Sequence, residues 1–117
     1  MQLQGGRLGR LLRRVWGEGA ALWLTRADWE IGRGPAPALP GGGVVLDLAG
    51  VTRGAVEQNA TIASAVAAMA RARGARLIHV SSAAVYPGGP GLMDEDCAPD
   101  PPSSYGSAKL AAERVVQ

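Results

Sequence analysis

Short apolar runs alternate with longer segments of helical periodicity along most of this chain, and this alternation limits the folds open to it. The apolar runs lack a polar residue at every second position, which is typical of strands covered on both faces. Strands that alternate with helices predict a parallel sheet with helices packed on both faces, an α/β fold. The predicted strands are residues 20–25, 44–50 and 76–81, and the predicted helices are residues 7–16, 56–73 and a last one from about Tyr105 to the chain end.

The chain length and composition indicate one globular domain, residues 1–117. Apolar residues make up 47% of the chain and charged residues 19%, which is ordinary for a folded protein. Phenylalanine is absent, so leucine, valine, isoleucine and alanine must form the core. Two segments predict loops: residues 32–43 are rich in glycine and proline, and residues 87–104 hold five of the eight prolines.

Charge and cysteine content narrow the partners that we expect. The net charge of +2 comes mostly from four arginines in the first predicted helix, without the interleaved aromatics typical of nucleic-acid binding. We therefore expect no nucleic-acid partner. An interaction of residues 7–16 with nucleic acid or an acidic surface remains an alternative. The sequence contains neither an apolar stretch of the roughly 18 residues that a membrane span needs nor a signal-peptide pattern. With a single cysteine, Cys97, it predicts a cytoplasmic protein without a membrane partner.

Three features follow the predicted strands or begin the last helix, where parallel sheets bind ligands. They are Ala49-Gly50, Ser81-Ser82, and the pair Tyr105 and Lys109. Lys109 is the sole lysine of the chain, and it lies four residues after Tyr105, on the same face of a helix. An ammonium beside a phenol stabilises the phenolate, and such a phenol can exchange a proton with a substrate oxygen. The alternative is an exposed tyrosine and a solvated lysine near a helix start.

Several separated blocks resemble the extended short-chain dehydrogenases/reductases, specifically the NAD-dependent epimerase/dehydratase family. One block is His79-Val80-Ser81-Ser82-Ala83-Ala84-Val85-Tyr86, followed by Asp94-Glu95 and by the run from Pro101 to Lys109. Upstream, residues 48–54 and Glu57-Gln58-Asn59 resemble the family's fourth strand and following helix. The resemblance covers residues 44–117, and its blocks keep the family's order and compatible spacings. It implies an NAD(P)-binding Rossmann fold, a doubly wound parallel sheet.

The resemblance implies a catalytic role for three residues. Tyr105 would be the general acid or base at the substrate hydroxyl or carbonyl. Lys109 would stabilise the phenolate of Tyr105 and hydrogen-bond the nicotinamide ribose. Ser82 would hold the reacting oxygen near the phenol, with Ser81 as the second choice because strand register decides which hydroxyl faces the cleft. For Ser82 the alternative is a turn serine that satisfies nearby backbone groups.

The same resemblance implies the cofactor site. Gly6 and Gly9 match the second and third glycines of the family's phosphate-binding loop, which leads into a helix N-terminus. Arg26 follows the second strand, where an arginine favours the 2′-phosphate of NADP over NAD, although Asp28 lies close by. Ala49 and Gly50 would let the cofactor approach the backbone, with Tyr105 and Lys109 at its nicotinamide end. Asn59 resembles the family's helix asparagine, its alternative being a solvated helix residue.

The N-terminus departs from the family pattern, so we expect an incomplete fold. Leu3 occupies the position of the first glycine, and only Met1 and Gln2 precede it, which leaves no residues for the first strand. The segment between Arg26 and Val44 is too short for the usual third strand and its helices. The resemblance places the later strands and the substrate region beyond Gln117. We therefore expect a chain truncated at both ends and only marginally stable alone.

The function implied is that of an NAD(P)-dependent oxidoreductase, epimerase or dehydratase acting on a sugar nucleotide or a similar carbonyl or alcohol. The alternative is a non-catalytic nucleotide-binding paralogue or an inactive fragment. Tyrosine, lysine and serine suffice for the proton chemistry, so we expect no metal and interpret His79, in an apolar strand, as structural. Family members often form dimers through the helices at 56–73 and 105–117, so a homodimer is also expected.

Overall fold

A computed structural model describes residues 2–4 and 6–117, with side chains described from residue 6 onward. The described residues form four parallel strands, three helices and two short 3₁₀ turns, at Glu18–Ala20 and Ala83–Val85. In the part of the chain that is described, no helix is both long and apolar enough to cross a membrane. The elements are β1 (Gln2–Gln4), α1 (Arg7–Trp16), β2 (Trp23–Thr25), β3 (Val44–Asp47), α2 (Gln58–Ala72), β4 (Arg76–His79) and α3 (Ser104–Val116).

The first strand is present, so the prediction that it is missing was wrong. The strand order is β2-β1-β3-β4, and β1 lies inside the sheet. It pairs with β2 over three residues, from Gln2↔Trp23 to Gln4↔Thr25, and with β3 at Gln2↔Leu46. Backbone hydrogen bonds define a strand whatever its side chains are. The sequence Gln-Leu-Gln carries no apolar run, and this is why it was not recognised.

The two crossovers of the sheet run in opposite directions from its centre. The connection from β1 to β2 contains α1, and the connection from β3 to β4 contains α2. Right-handed crossovers therefore place α1 and α2 on opposite faces, as expected for a doubly wound sheet. Between Thr25 and Val44 the chain forms no helix or strand, in agreement with the predicted absence of the usual third strand.

The two faces of the sheet are covered unequally. On one face, Val45 of β3 is buried against Val66 and Met69 of α2, and α3 packs beside α2. On the other face, Val44 is 49% exposed and Ile78 45% exposed, so the predicted burial on both faces does not hold for β3 and β4. It holds for β2, where the successive residues Trp23 and Leu24 are both buried. The buried core cluster consists of Leu24, Trp29, Val45, Val66, Met69 and Ala70.

Helix α1 has the predicted bounds but not a buried face. Gly17 ends it with a φ of 87° and donates its N–H to the carbonyl oxygen of Arg13 at 3.0 Å. Its predicted apolar face is mostly in solvent, since Leu11 is 53% and Val15 68% exposed. Helix α2 ends at a glycine as predicted, because Gly74 follows it with a φ of 60°, a conformation that favours glycine.

Candidate active site

A cavity of ≈ 490 Å³ lies at the carboxyl ends of β1, β2 and β3. This is the point at which the order of strands reverses, where doubly wound folds bind their ligands. Four of the predicted cofactor residues line it: Gly6, Arg26, Ala49 and Gly50. Gly9 is instead buried within α1 and is not among the described residues of the cavity wall.

The first turn of α1 begins at this cavity, because Gly6, the residue before the helix, lies in the cavity wall. Gly6 precedes the helix in an extended conformation and, as a glycine, has no side chain with which to cap the first turn. No acidic residue lies in that turn, and a Cβ placed on Gly6 would meet nothing within 4 Å. The N-terminal amides of a helix attract anions, because they carry partial positive charge and have no partner within the helix. The turn can therefore receive a phosphate group.

Asn59 fixes the loop that forms another wall of the cavity. Its side chain is 2% exposed; its Oδ1 accepts the N–H of Val51 at 2.9 Å, and its Nδ2 donates to the carbonyl oxygens of Val51 and Val56, both at 2.8 Å. A Cβ on Gly50 would lie 3.1 Å from Asn59 Oδ1, closer than such contacts normally come. The glycine thus permits this close packing, and the alternative of a solvated Asn59 was wrong.

Asp28, which competed with Arg26 in the choice of cofactor, is held by its own turn. Its Oδ2 accepts the backbone N–H and the hydroxyl of Thr25, each at 2.7 Å. These hydrogen bonds hold the pKa of the Asp28 carboxyl below its usual range. Arg26 lines the cavity, whereas Asp28 is not among the described residues of its wall. The carboxylate is therefore turned to the backbone, and the arginine faces the ligand side.

The start of α3 is pressed against the turn that follows β4. Ser103 caps the helix by accepting the N–H of Gly106 at 3.0 Å. A Cβ on Gly106 would overlap the carbonyl oxygen of Ala84 and lie 2.9 Å from Cβ of Pro101. Only a glycine allows this approach, which brings the half-buried Tyr105, one residue earlier, to the carboxyl end of β4.

Lys109 is buried, with 4% of its surface exposed, and its Nζ donates to the carbonyl oxygen of Val80 at 2.9 Å. The alternative of a solvated lysine was therefore wrong. Burial lowers the pKa of Lys109, while the negative charges of Asp47 and Glu113 act in the opposite direction. An ammonium has three N–H donors, so two remain beyond the bond to Val80. The lysine is thus anchored to the end of β4 with donors to spare.

The two serines after β4, Ser81 and Ser82, differ in the hydrogen bonds that their hydroxyl groups form. The hydroxyl of Ser81 donates to the carboxylate of Glu113, so its proton is committed. Oγ of Ser82 accepts the N–H of Ala84 at 3.2 Å. This bond is the backbone role weighed as the alternative for Ser82, yet it uses only a lone pair, and the hydroxyl proton of Ser82 remains available.

Sequence reasoning missed three residues that shape this region. Glu113 holds Ser81, Gly106 permits the contact with Ala84, and Asp47 is fully buried at the end of β3. Asp47 could have been found, since an acidic residue inside an apolar run requires a partner. The partner is His79, the ionisable residue at the same register of the neighbouring strand.

Fold and site together define the class of the protein. A doubly wound parallel sheet with a cavity at its switch point, and with a helix carrying Tyr105 and Lys109 at the end of β4, is the arrangement of the extended short-chain dehydrogenases/reductases. Neither Tyr105 nor Lys109 is among the described residues that line the cavity. Within that class, the family model described as RmlD substrate binding domain matches residues 51–117, more than half of the chain. The chain belongs to this family. The narrower assignment to NAD-dependent epimerases/dehydratases stays a prediction.

Comparison with solved structures agrees with this fold. The chain is similar to a dTDP-4-dehydrorhamnose reductase, an RfbD ortholog from Clostridium acetobutylicum, with a TM-score of 0.79 and 22% sequence identity. The similarity covers 99% of this chain and 49% of that protein, so the chain spans about half the length of the reductase. No curated protein matches the sequence.

Proposed function

We propose that this chain is the nicotinamide-nucleotide-binding part of an oxidoreductase that reduces the carbonyl of a sugar nucleotide. One observation carries the proposal: Lys109 is buried and bonded to the end of β4, on the helix that carries Tyr105, and Gly106 brings the start of that helix against the turn that Ser82 begins. Membership of the RmlD substrate binding domain family and the fold shared with a dTDP-4-dehydrorhamnose reductase support a sugar nucleotide as the substrate class.

The residues around the cavity fit a dinucleotide. The uncapped first turn of α1 behind Gly6 suits a pyrophosphate, and the backbone at Ala49-Gly50 lies open in the cavity wall. Arg26, which lines the cavity, suits the 2′-phosphate of NADP. The carboxylate of Asp28 does not compete, because it is hydrogen-bonded to Thr25. We therefore favour NADP over NAD. Lys109 would bind the nicotinamide ribose with one of its remaining N–H groups.

The reduction needs one hydride and one proton, and this chain's residues handle the proton. The nicotinamide supplies the hydride when it is bound, since no side chain carries one. Tyr105 donates its phenolic proton to the substrate oxygen. The hydroxyl of Ser82 donates a hydrogen bond to the same oxygen and holds it near the phenol, while Lys109 stabilises the phenolate that remains. Ser81 does not serve in this role, because its hydroxyl already donates a hydrogen bond to Glu113.

Binding and turnover separate these roles. We expect the 117-residue chain to bind NADPH saturably in a nicotinamide fluorescence titration, and Arg26→Met to reduce the preference for NADPH over NADH. Turnover is measured as NADPH oxidation with dTDP-4-dehydrorhamnose, in a chain extended to the full length of the reductase. Tyr105→Phe should lower the rate at least about 100-fold while leaving the affinity for NADPH within about twofold. Tyr86→Phe is the matched control, because it removes the same hydroxyl from the other tyrosine.

Each contrary result overturns a different part of the proposal. A chain that binds neither NADPH nor NADH contradicts the nucleotide site. Saturable binding without turnover in the extended chain favours the non-catalytic nucleotide-binding alternative. Undiminished turnover in Tyr105→Phe removes the phenol from the mechanism.

A further inference from the structure

A buried carboxylate and a buried imidazole lie under the proposed site. Asp47 ends β3 and is 0% exposed, and its partner in the parallel register is His79, whose side chain is 7% exposed. Oδ2 of Asp47 lies 2.8 Å from Nδ1 of His79, and Oδ1 accepts the N–H of Ala49 at 2.9 Å. The carboxylate therefore joins the two strand ends to the turn at Ala49-Gly50 in the cavity wall.

The same pair is connected to Lys109 through one backbone unit. Val80 donates its N–H to the carbonyl oxygen of Asp47 at 3.1 Å, and its own carbonyl oxygen accepts from Nζ of Lys109 at 2.9 Å. Asp47 thus joins the turn at Ala49 through its carboxylate to Val80 through its main-chain carbonyl, and Val80 continues the chain of hydrogen bonds to the lysine. A shift of Asp47 would move both the cavity wall and the lysine.

Few charged side chains act on the buried ammonium group of Lys109. The carboxylates that act on Lys109 are Asp47 from β3 and Glu113 from its own helix, and Glu113 is bonded to Ser81. Helix α2, which packs on α3, contributes no ionisable residue among its buried positions. Tyr105 lies one turn before Lys109, and His79 contacts Asp47. Since isolated charges are costly in the interior, Asp47 and Lys109 compensate each other.

His79 determines how the carboxylate is held. Nε2 of His79 is buried and, among the described residues, has no hydrogen-bond partner. A proton on that nitrogen would leave a buried donor unsatisfied, whereas a proton on Nδ1 is donated to Asp47. The geometry therefore favours the neutral tautomer with its proton on Nδ1.

We propose that Asp47 and His79 are positioning residues of the proposed reaction. Asp47 fixes the Ala49-Gly50 turn and, through Val80, the strand end to which Lys109 is bonded, and His79 holds the Asp47 carboxylate in place. This inference rests on the proposed function for its consequence in catalysis. The buried network itself can be measured without nucleotide or substrate.

The composition of the chain makes that measurement unusually direct. Lys109 is the sole lysine and His79 the sole histidine, so selective ¹³C,¹⁵N labelling of either residue type gives one side-chain signal without assignment. In the unmodified 117-residue chain, at a pH where the imidazole is neutral, long-range ¹H–¹⁵N spectra should show the proton of His79 on Nδ1. A dominant Nε2–H tautomer would overturn the inference, and this test needs no variant.

Asp47→Asn tests the charge. We expect the Lys109 side-chain signal to titrate at lower pH than in the unmodified chain, because the Asp47 charge raises the pKa of Lys109 against the effect of burial. The affinity for NADPH should fall at least about fivefold at neutral pH, and the loss should grow as the pH rises. Asp100→Asn is the matched control, since it removes one carboxylate charge from an exposed loop position.

The role of His79 is tested by replacement and rescue. His79→Leu removes the donor and should weaken NADPH binding, whereas His79→Asn places an amide N–H near the position of Nδ1 and should restore most of the affinity. An unchanged Lys109 titration in Asp47→Asn overturns the inference, whether or not the chain binds nucleotide. Equal affinities in His79→Leu and His79→Asn overturn the role of His79. Absence of NADPH binding by the unmodified chain overturns the proposed function and the positioning role together, while the tautomer and the titration still report the network.

Discussion

The two halves of this sheet, β3–β4 on one side and β1–β2 on the other, differ in packing and in hydrogen bonding. On one side, β3, β4, α2 and α3 enclose fully buried residues such as Val66 and Asp47, and hydrogen bonds link the ends of the strands. On the other side, β1 and β2 are three residues long, and the amphipathic α1 leaves Leu11 and Val15 largely in solvent. The region that the family model matches, residues 51–117, lies entirely on the first side.

This contrast separates the sources of stability from the sources of binding. Buried apolar area and satisfied polar groups stabilise the β3–β4 side, and the proposed proton-transfer residues lie there. The α1 side contributes the open backbone at Gly6 and the charge of Arg26 to the cavity. Its buried side chains, Trp23, Leu24 and Trp29, lie in and after β2, whereas α1 buries only Gly9. Substitutions in α1 and in α2 should therefore differ strongly in their effect on the free energy of unfolding.

The largest effect is expected at the contact between α3 and the turn after β4. Gly106→Ala should lower the free energy of unfolding by about 2–3 kcal/mol, because its methyl group would overlap the carbonyl of Ala84. Chemical denaturation followed by circular dichroism measures the change. Gly88→Ala is the control, since a Cβ there meets nothing within 4 Å. Equal stability of the two variants would show that α3 does not approach Ala84 so closely.

A pair of identical substitutions compares the two sides directly. Val66→Ala in α2 should cost about 2 kcal/mol of unfolding free energy, since Val66 is 0% exposed and its replacement leaves a cavity. Val15→Ala in α1 should change it by less than about 0.5 kcal/mol, because Val15 is 68% exposed. Denaturant midpoints of the two variants give the comparison. Similar losses at both positions would mean that α1 is packed as firmly as α2.

The smallest effect is expected at the ion pair that joins α1 to the following turn. Nε of Arg13 donates to Oε1 of Glu18 at 2.6 Å at the surface. This bond lowers the pKa of the Glu18 carboxyl, so its stabilising contribution is present above the ordinary glutamate pKa and is lost as the pH falls through the lowered value. Glu18→Gln should lower the thermal midpoint of unfolding slightly at neutral pH and low salt, because the ion pair is lost.

Salt and acid provide the checks on that substitution. The shift should disappear at high ionic strength, because exposed charges are screened, and also at a pH where Glu18 is protonated. Glu95→Gln, at an exposed loop position, is the matched control. A shift that persists in high salt would show that Glu18 acts through packing and not through charge.

The periodicity of apolar residues and the positions of glycines predicted most of the helices, strands and loops correctly. Helix α1 has the predicted bounds, α2 lies within the predicted 56–73, and the loop at 32–43 contains no regular structure. These features depend on local patterns of apolar residues and glycines. Strand β1 was missed because its side chains carry no such pattern, and only pairing with β2 and β3 makes it a strand.

The residues of the candidate site also divide into those that the local sequence predicted and those whose contacts depend on the tertiary structure. Tyr105, Lys109 and Ser82 were found from spacing and resemblance, since their pattern is short and nearly continuous in sequence. Asp47 and His79 are 32 residues apart and meet only through the parallel register of β3 and β4. That contact depends on how the strands align, which no local pattern specifies.

By itself, then, the sequence determined the element types, the chemical groups at the strand ends and the family resemblance, because each depends on neighbours within a few residues. The tertiary structure decided which serine hydroxyl donates to Glu113, which carboxylates act on the lysine and which strands are exposed on one face of the sheet. Those outcomes depend on burial and on hydrogen bonds between distant segments. A hydroxyl, carboxylate or ammonium acquires its chemical role only once its neighbours and its access to water are set.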